Sequence, residues 1–422
     1  MSTIFGDSSS TTAKNPVIVN APRSGERPNL GAESDMAIRS RVGVMRHGDS
    51  NIDVNSWSSG LDPLFARIAG RFGRAEPRRQ ARSYLTGLLA PIARKNGWQL
   101  AEAAGDTTPD RMQRLLNTAK WDVDGVRDEV RAYVAERIGD VGATLAVAEV
   151  IFPKKGTKSA GVHWWRGGKE PARQAQVGLF LAYASATGSA LIDRELHLPP
   201  QWTQDPRRCS EAGVPMSVRY RSKAAQAASM IERAVMAGLP VSWVLADETY
   251  AAALEFADLL TATGLNHVLT VRPEHMLTLS AGRRRVGAIA EAVPETAFVR
   301  LPDDGDQEWA VLELRFPDGR PGRWLLLNRH RDEVIHHLCA APPGTTLAEL
   351  VRVARSRETV QACLARACEG AGLHQYQVRR YHAWYRHATL SMLAYAYAYA
   401  AHNASKSHAA VVDCLTFVAG SW

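Results

Sequence analysis

The chain is short of paired cysteines, of long apolar runs and of acid. Its five cysteines, Cys209, Cys339, Cys363, Cys368 and Cys414, include no CxxC pair. That spacing offers neither a zinc site nor a disulfide framework, and a reduced, cytoplasmic setting fits. No apolar run reaches the roughly 18 residues that a membrane helix needs. The most apolar stretch, Ala388 to Ala401, carries Ser and Tyr inside it and reads as a buried helix. Residues 1–50 lack the apolar centre of a secretory signal. No internal repeat is present, and no low-complexity tract beyond the first 55 residues. Membrane-spanning, disulfide-scaffold and repeat classes are therefore set aside. Asp and Glu total 43 against 51 Lys and Arg, a net charge of +8. Such a balance favours polyanionic partners, nucleic acid above all.

What is present reads as a soluble globular chain. Hydrophobic residues make up 45% and charged residues 22% of its 422 positions, an ordinary mix for a folded protein, and the length suits two or three domains. Residues 1–55 are rich in Ser, Thr, Pro, Gly and Arg without periodicity and read as a mobile tail. From Leu61 the pattern turns helical. Leu64, Phe65, Ile68 and Phe72 recur at helical spacing, then Tyr84, Leu85, Leu88 and Leu89. A third helix starts near Pro109 with Met112, Leu115 and Leu116, and a fourth after Asp122 with Val126, Val130, Tyr133 and Val134. Residues 56–140 thus form an all-helical domain whose basic side carries Arg71, Arg74, Arg78 and Arg79. Those arginines are either a solvated face or phosphate contacts.

At Thr144 the texture changes to alternating strands and helices. Leu145–Ile151, Gln176–Ala184 and Ser189–Leu198 read as strands, followed by a helix over Ala224–Ala237 and a strand over Val241–Ala246 closed by Asp247. A helix over Ala251–Thr263 and a strand over His267–Val271 continue the alternation, which is α/β. Residues 276–340 break into short strand-like pieces between Asp, Gly and Pro turns and read as a β-rich insertion. Helices are expected at Leu347–Ala354, Thr359–Glu369 and Val378–Ala401.

Several local signatures resemble one known family. They are Arg94-Lys95-Asn96-Gly97-Trp98-Gln99-Leu100-Ala101-Glu102, Met112-Gln113-Arg114-Leu115-Leu116 and Lys154-Lys155-Gly156. Asp193-Arg194-Glu195-Leu196, Leu198-Pro199 with Trp202, and Trp243-Val244 with Asp247 follow. Gly372-Leu373, Tyr376-Gln377-Val378-Arg379 and Trp384-Tyr385-Arg386-His387 complete the set. In this order and spacing the chain resembles the DDE transposases of bacterial insertion sequences that carry a β-strand insertion in the catalytic domain. The resemblance runs from about Trp57 to Asn403. It implies an α/β (α+β overall) fold with a ribonuclease-H-like core, residues 141–275 and 341–405, interrupted by the insertion at 276–340. The all-helical domain precedes the core, and residues 406–422 form a C-terminal tail. It further implies DNA as partner, with Lys154, Lys155, Lys95 and the helical arginines in contact, no membrane, and a bacterial cytoplasm with nucleoid association open.

The chemistry implied by the resemblance is metal-assisted phosphoryl transfer. Two magnesium ions about 4 Å apart clamp the attacking and leaving oxygens. Hard cations need oxygen ligands, so three carboxylates must converge. The family's first Asp falls eight residues before the glycine of Lys-Lys-Gly, where this chain has Ala148. Its second Asp matches Asp247. Its Glu follows an Arg by four residues and precedes a Lys by seven; with Arg357 as the Arg, those places hold Gln361 and Cys368. Seven residues are two helical turns, so Gln361 and Cys368 share a face. Alanine cannot ligate and glutamine is neutral, so paired magnesium is expected to be lost, leaving no cofactor. Neighbouring Glu149 should face the other side of its strand, whereas Glu358 is the acid best placed to substitute. A Cys368 nucleophile is a minor alternative.

The expected function is a transposase-like protein that has lost nuclease and strand-transfer activity and serves as a domesticated DNA-binding or regulatory protein. Two alternatives stay open: an enzyme that uses the former cleft for small-molecule chemistry, and an active transposase with displaced acids. A homodimer and a small-molecule ligand in that cleft also stay open.

Overall fold

The computed structural model describes residues 54–167, 171–302, 305–319, 321–331 and 333–399. The expected tails and Cys414 lie outside them. Five helices come first: α1 (Val54–Ala69), α2 (Ala75–Leu89), α3 (Gly97–Ala103), α4 (Asp110–Asn117) and α5 (Val123–Ile138). Helix α3 is absent from the hydrophobic periodicity because it spans only two turns. Its start is set by Asn96, whose side chain accepts the backbone N–H groups of Trp98 and Gln99. Asp122 caps α5 in the same way through Gly125 N–H.

The sheet begins with β1 (Thr144–Pro153), β2 (His163–Trp165), β3 (Arg173–Ser185) and β4 (Gly188–Leu196). The short helices α6 (Pro200–Thr203) and α7 (Pro206–Glu211) lead to α8 (Lys223–Met236), β5 (Trp243–Ala246), α9 (Glu248–Ala251), α10 (Leu254–Thr263) and β6 (Asn266–Val271). β1 is antiparallel to β3 and parallel to β5, which is parallel to β6. The resulting order β4-β3-β1-β5-β6 is the expected α/β, ribonuclease-H-like arrangement. The apolar strands β3 and β4 are buried almost throughout, as strands covered on both faces must be.

The β-rich segment opens with a hairpin of β7 (Met276–Leu279) and β8 (Gly282–Arg285), then α11 (Val286–Glu291). Its remaining strands, β9 (Glu308–Glu313), β10 (Arg323–His330) and β11 (Glu333–Ala340), extend the central sheet. β11 pairs antiparallel with β6, from His336 opposite Val271 to Ala340 opposite His267. Sequence periodicity gives strands but not their partners, so this continuity was not legible. Within the segment expected to be β-rich, residues 298–301 supply an isolated bridge between Val299 and Trp309.

A single 24-residue helix, α12 (Leu347–Gly370), replaces the two expected there. No Pro or Gly interrupts the polar stretch Arg355–Glu358; it is simply the part of the helix that is less covered. Thr346 and Glu349 close its start with reciprocal capping bonds. A last helix, α13, covers residues 381–399. Among the described residues no helix is long and apolar enough to cross a membrane.

The helical segment and the sheet share one hydrophobic core that runs from Leu61 to Tyr397. A smaller cluster around Leu277, Val286 and Leu325 lies under the hairpin. Phe152, Phe180, Tyr376 and Trp384 form an aromatic group over β1 and β3. Gly178 permits that packing: a Cβ there would stand 2.8 Å from both Phe152 and Trp384. A buried ionic group joins the layers. Asp193 on β4, fully buried, accepts from Arg233 of α8 at 2.9 Å and meets Arg131 of α5 at 3.4 Å. Arg194 bonds Asp124 at 3.0 Å and Thr389 at 2.9 Å. The Asp193-Arg194-Glu195 signature is therefore the fastening between α5, β4, α8 and α13.

Candidate active site

The parallel ladder of β1 and β5 pairs Thr144 with Trp243, Leu145 with Val244 and Ala146 with Leu245. Two residues further along each strand stand Ala148 and Asp247. The paired register stops at Ala146 and Leu245, so Ala148 lies further along β1 and Asp247 immediately after β5. β1 runs unbroken against β3 from Thr144 opposite Ala184 to Pro153 opposite Ala175, so no bulge turns another residue into that position.

Asp247 caps α9: its Oδ1 accepts the Thr249 N–H at 2.9 Å. Burial raises its carboxyl above the usual range, and the charge of Glu149 pushes the same way. The Thr249 amide and Arg357 oppose them. Glu149 lies on the opposite face of β1 from Ala148, and both its oxygens are engaged. Oε2 accepts from Lys223 Nζ at 2.6 Å and Oε1 from the buried Tyr250 hydroxyl at 3.0 Å. Its capture by a lysine from α8 was not foreseen, because that contact joins residues 74 positions apart.

Arg357 is exposed on α12 within electrostatic reach of Asp247 and Glu248. Gln361 follows one turn later, also exposed. Glu358, the acid expected to substitute best, turns elsewhere. Its Oε1 lies 3.5 Å from Gln307 Nε2, and it lines a cleft with Asp140, Ser185 and Arg352. Cys368 shares the helical face of Gln361 but not its surroundings. After Gly370 the chain folds back, with Leu373 N–H on Ala367 O and the His374 ring on Cys368 O. Burial pushes the Cys368 thiol up to about 12, with Glu369 and Cys363 adding to the effect, so it is not a thiolate near neutral pH. Among the described residues, no three or more His, Cys, Asp or Glu side chains come together as a set that could hold a metal ion.

The basic residues separate into three groups. Arg74, Arg79 and Lys155 are exposed. Arg71 pairs with Asp122 and Glu129, and Arg78 donates to the Phe72 carbonyl. Lys154 lies with its Nζ 3.8 Å from the centre of the Tyr376 ring, and burial pulls its ammonium down to about 8. Lys95 is turned inward. Its ammonium donates to the carbonyls of Leu88 and Ala90, and burial lowers it to about 8. A side chain so enclosed cannot reach a phosphate.

The model of one family, the DDE superfamily endonucleases, matches residues 67–286, just over half of the chain. That span takes in Ala148, Asp247 and the strands that bring them together, and it ends before the helix of Gln361. No curated protein matches the chain. The chain belongs to the DDE superfamily endonucleases.

Proposed function

We propose that this family member binds DNA but neither cuts nor joins it, and that it acts as a domesticated DNA-binding or regulatory protein. What carries the reading is that Ala148 and Asp247 each stand two residues past the last paired residues of β1 and β5, Ala146 and Leu245. Family members of this type work through magnesium, which is held by the summed charge of several carboxylates. Here Asp247 is occupied as a helix cap, Glu149 is neutralised by Lys223 on the other face of β1, and Gln361 is uncharged. This donor set does not fit a pair of hard cations. Binding draws support from the net charge of +8 and from exposed Arg74, Arg79 and Lys155.

Two assays on the full chain test the reading. Supercoiled plasmid incubated with magnesium or manganese should stay intact. Duplex DNA should bind in EDTA, with an affinity that falls steeply as salt rises. Metal-dependent nicking that disappears in Asp247→Asn would refute the loss of chemistry. Duplex binding absent even at low salt would refute the DNA-binding part.

A further inference from the structure

We infer that a cleft between the helical segment and the turn before α13 seats an unpaired nucleotide of a nucleic-acid strand, with Trp98 as its stacking surface. The cleft encloses about 460 Å³, within the range of small-ligand sites. Its floor is apolar and aromatic, with Tyr84, Met112, Leu116 and Tyr376. Trp98 stands at its edge with 62% of its surface exposed. A large indole left open to water has no packing role that would explain it, whereas a flat exposed ring suits stacking.

Charge selects the partner. Arg379 and Arg380 are exposed on the rim, and among the described residues no Asp or Glu lines the cleft. Tyr376 carries the Lys154 ammonium on its ring. A flat ring with an anionic group attached satisfies both features, and a nucleotide has both. An uncharged aromatic molecule would leave the arginines unused, and a simple anion would leave Trp98 unused.

The cleft is also placed for it. Ala148, Phe152 and Lys154 share one face of β1 by strand alternation, and Phe152 packs on Tyr376 with ring centres 5.3 Å apart. Six residues of strand span about 20 Å. A nucleic-acid strand crossing the former catalytic position could therefore reach the cleft. The inference rests on the DNA-binding part of the proposed function, and it adds a preference for unpaired bases.

Fluorescence anisotropy on the full chain separates the two. The probes are a short labelled oligothymidylate and a blunt duplex of random sequence. Wild type should bind the oligothymidylate. Trp98→Ala should weaken that binding by about tenfold, Trp98→Phe should largely restore it, and blunt-duplex binding should not change. Arg380→Gln should lower the salt dependence by about one phosphate contact. Oligothymidylate bound without the duplex would support this cleft and overturn the helical arginines as the DNA contact. Equal affinity in Trp98→Ala and wild type, or no binding of oligothymidylate by wild type, overturns the inference.

Discussion

Lys223 Nζ lies 2.6 Å from Glu149 Oε2, and this ion pair engages the carboxylate next in sequence to Ala148. Both side chains are mostly covered, at 24% and 19% exposed, and the second carboxylate oxygen is held by Tyr250. Both carboxylate oxygens of Glu149 are thereby engaged. Glu149→Gln should cost about 1–3 kcal/mol, because it leaves a part-buried ammonium without its counter-charge. Urea unfolding would read this. Removing that charge should also lower the Asp247 carboxyl toward its ordinary range, since Glu149 raises it, a shift that carboxyl NMR would follow.

The Asp193 group should be the most sensitive ionic site in the molecule. Asp193 has no exposure, and Arg131 and Arg233 both rely on it. Asp193→Asn keeps the shape and removes the charge. Breaking a buried pair from one side costs about 3–5 kcal/mol. Asp128, half exposed beside Arg127 and Arg131, is the control: Asp128→Asn should cost less than about 1 kcal/mol. Comparable losses for the two variants would contradict the placement.

His387 gives the fold an acid limit. The Tyr84 hydroxyl donates to Nδ1 at 2.8 Å, and Nε2–H donates to the Gly372 carbonyl at 3.1 Å. The neutral ring satisfies both bonds. Burial lowers the group from 6.5 to about 4. The folded value lies below the unfolded one, so the unfolded chain takes up the proton first. This stability is fully present above about pH 6.5 and is lost as pH falls toward about 4, up to about 3 kcal/mol. Thermal melts between pH 7 and 5 should show the decline. His387→Gln, which keeps a donor and an acceptor, should flatten it by close to one proton.

Cysteine mapping checks the burial of the last turns of α12. Alkylation at neutral pH followed by mass spectrometry should leave Cys368 and Cys363 unmodified in the native protein, since burial holds both thiols protonated. Native labelling of Cys368 would show that the fold-back after Gly370 does not cover it.

The strands that carry Ala148 and Asp247 were legible in the sequence because strand periods are local rules, and the two strands are parallel neighbours. Directions set by distant partners were not legible. Lys95 sits in a basic, polar stretch, yet it bends inward, where its ammonium donates to the carbonyls of Leu88 and Ala90 at the end of α2. Glu149 is claimed by a helix that begins after β4, and the insertion joins the sheet through β6. Cys368 follows Gln361 by two turns, but it is covered by a return of the chain that helical spacing cannot foresee.

The central claim concerns charge beside Asp247, and calorimetric titration with manganese tests it most directly. The wild-type chain should take up no pair of ions, and Ala148→Asp combined with Gln361→Glu should gain manganese binding. Paired manganese binding by the wild type, or no gain in the double variant, would contradict the account.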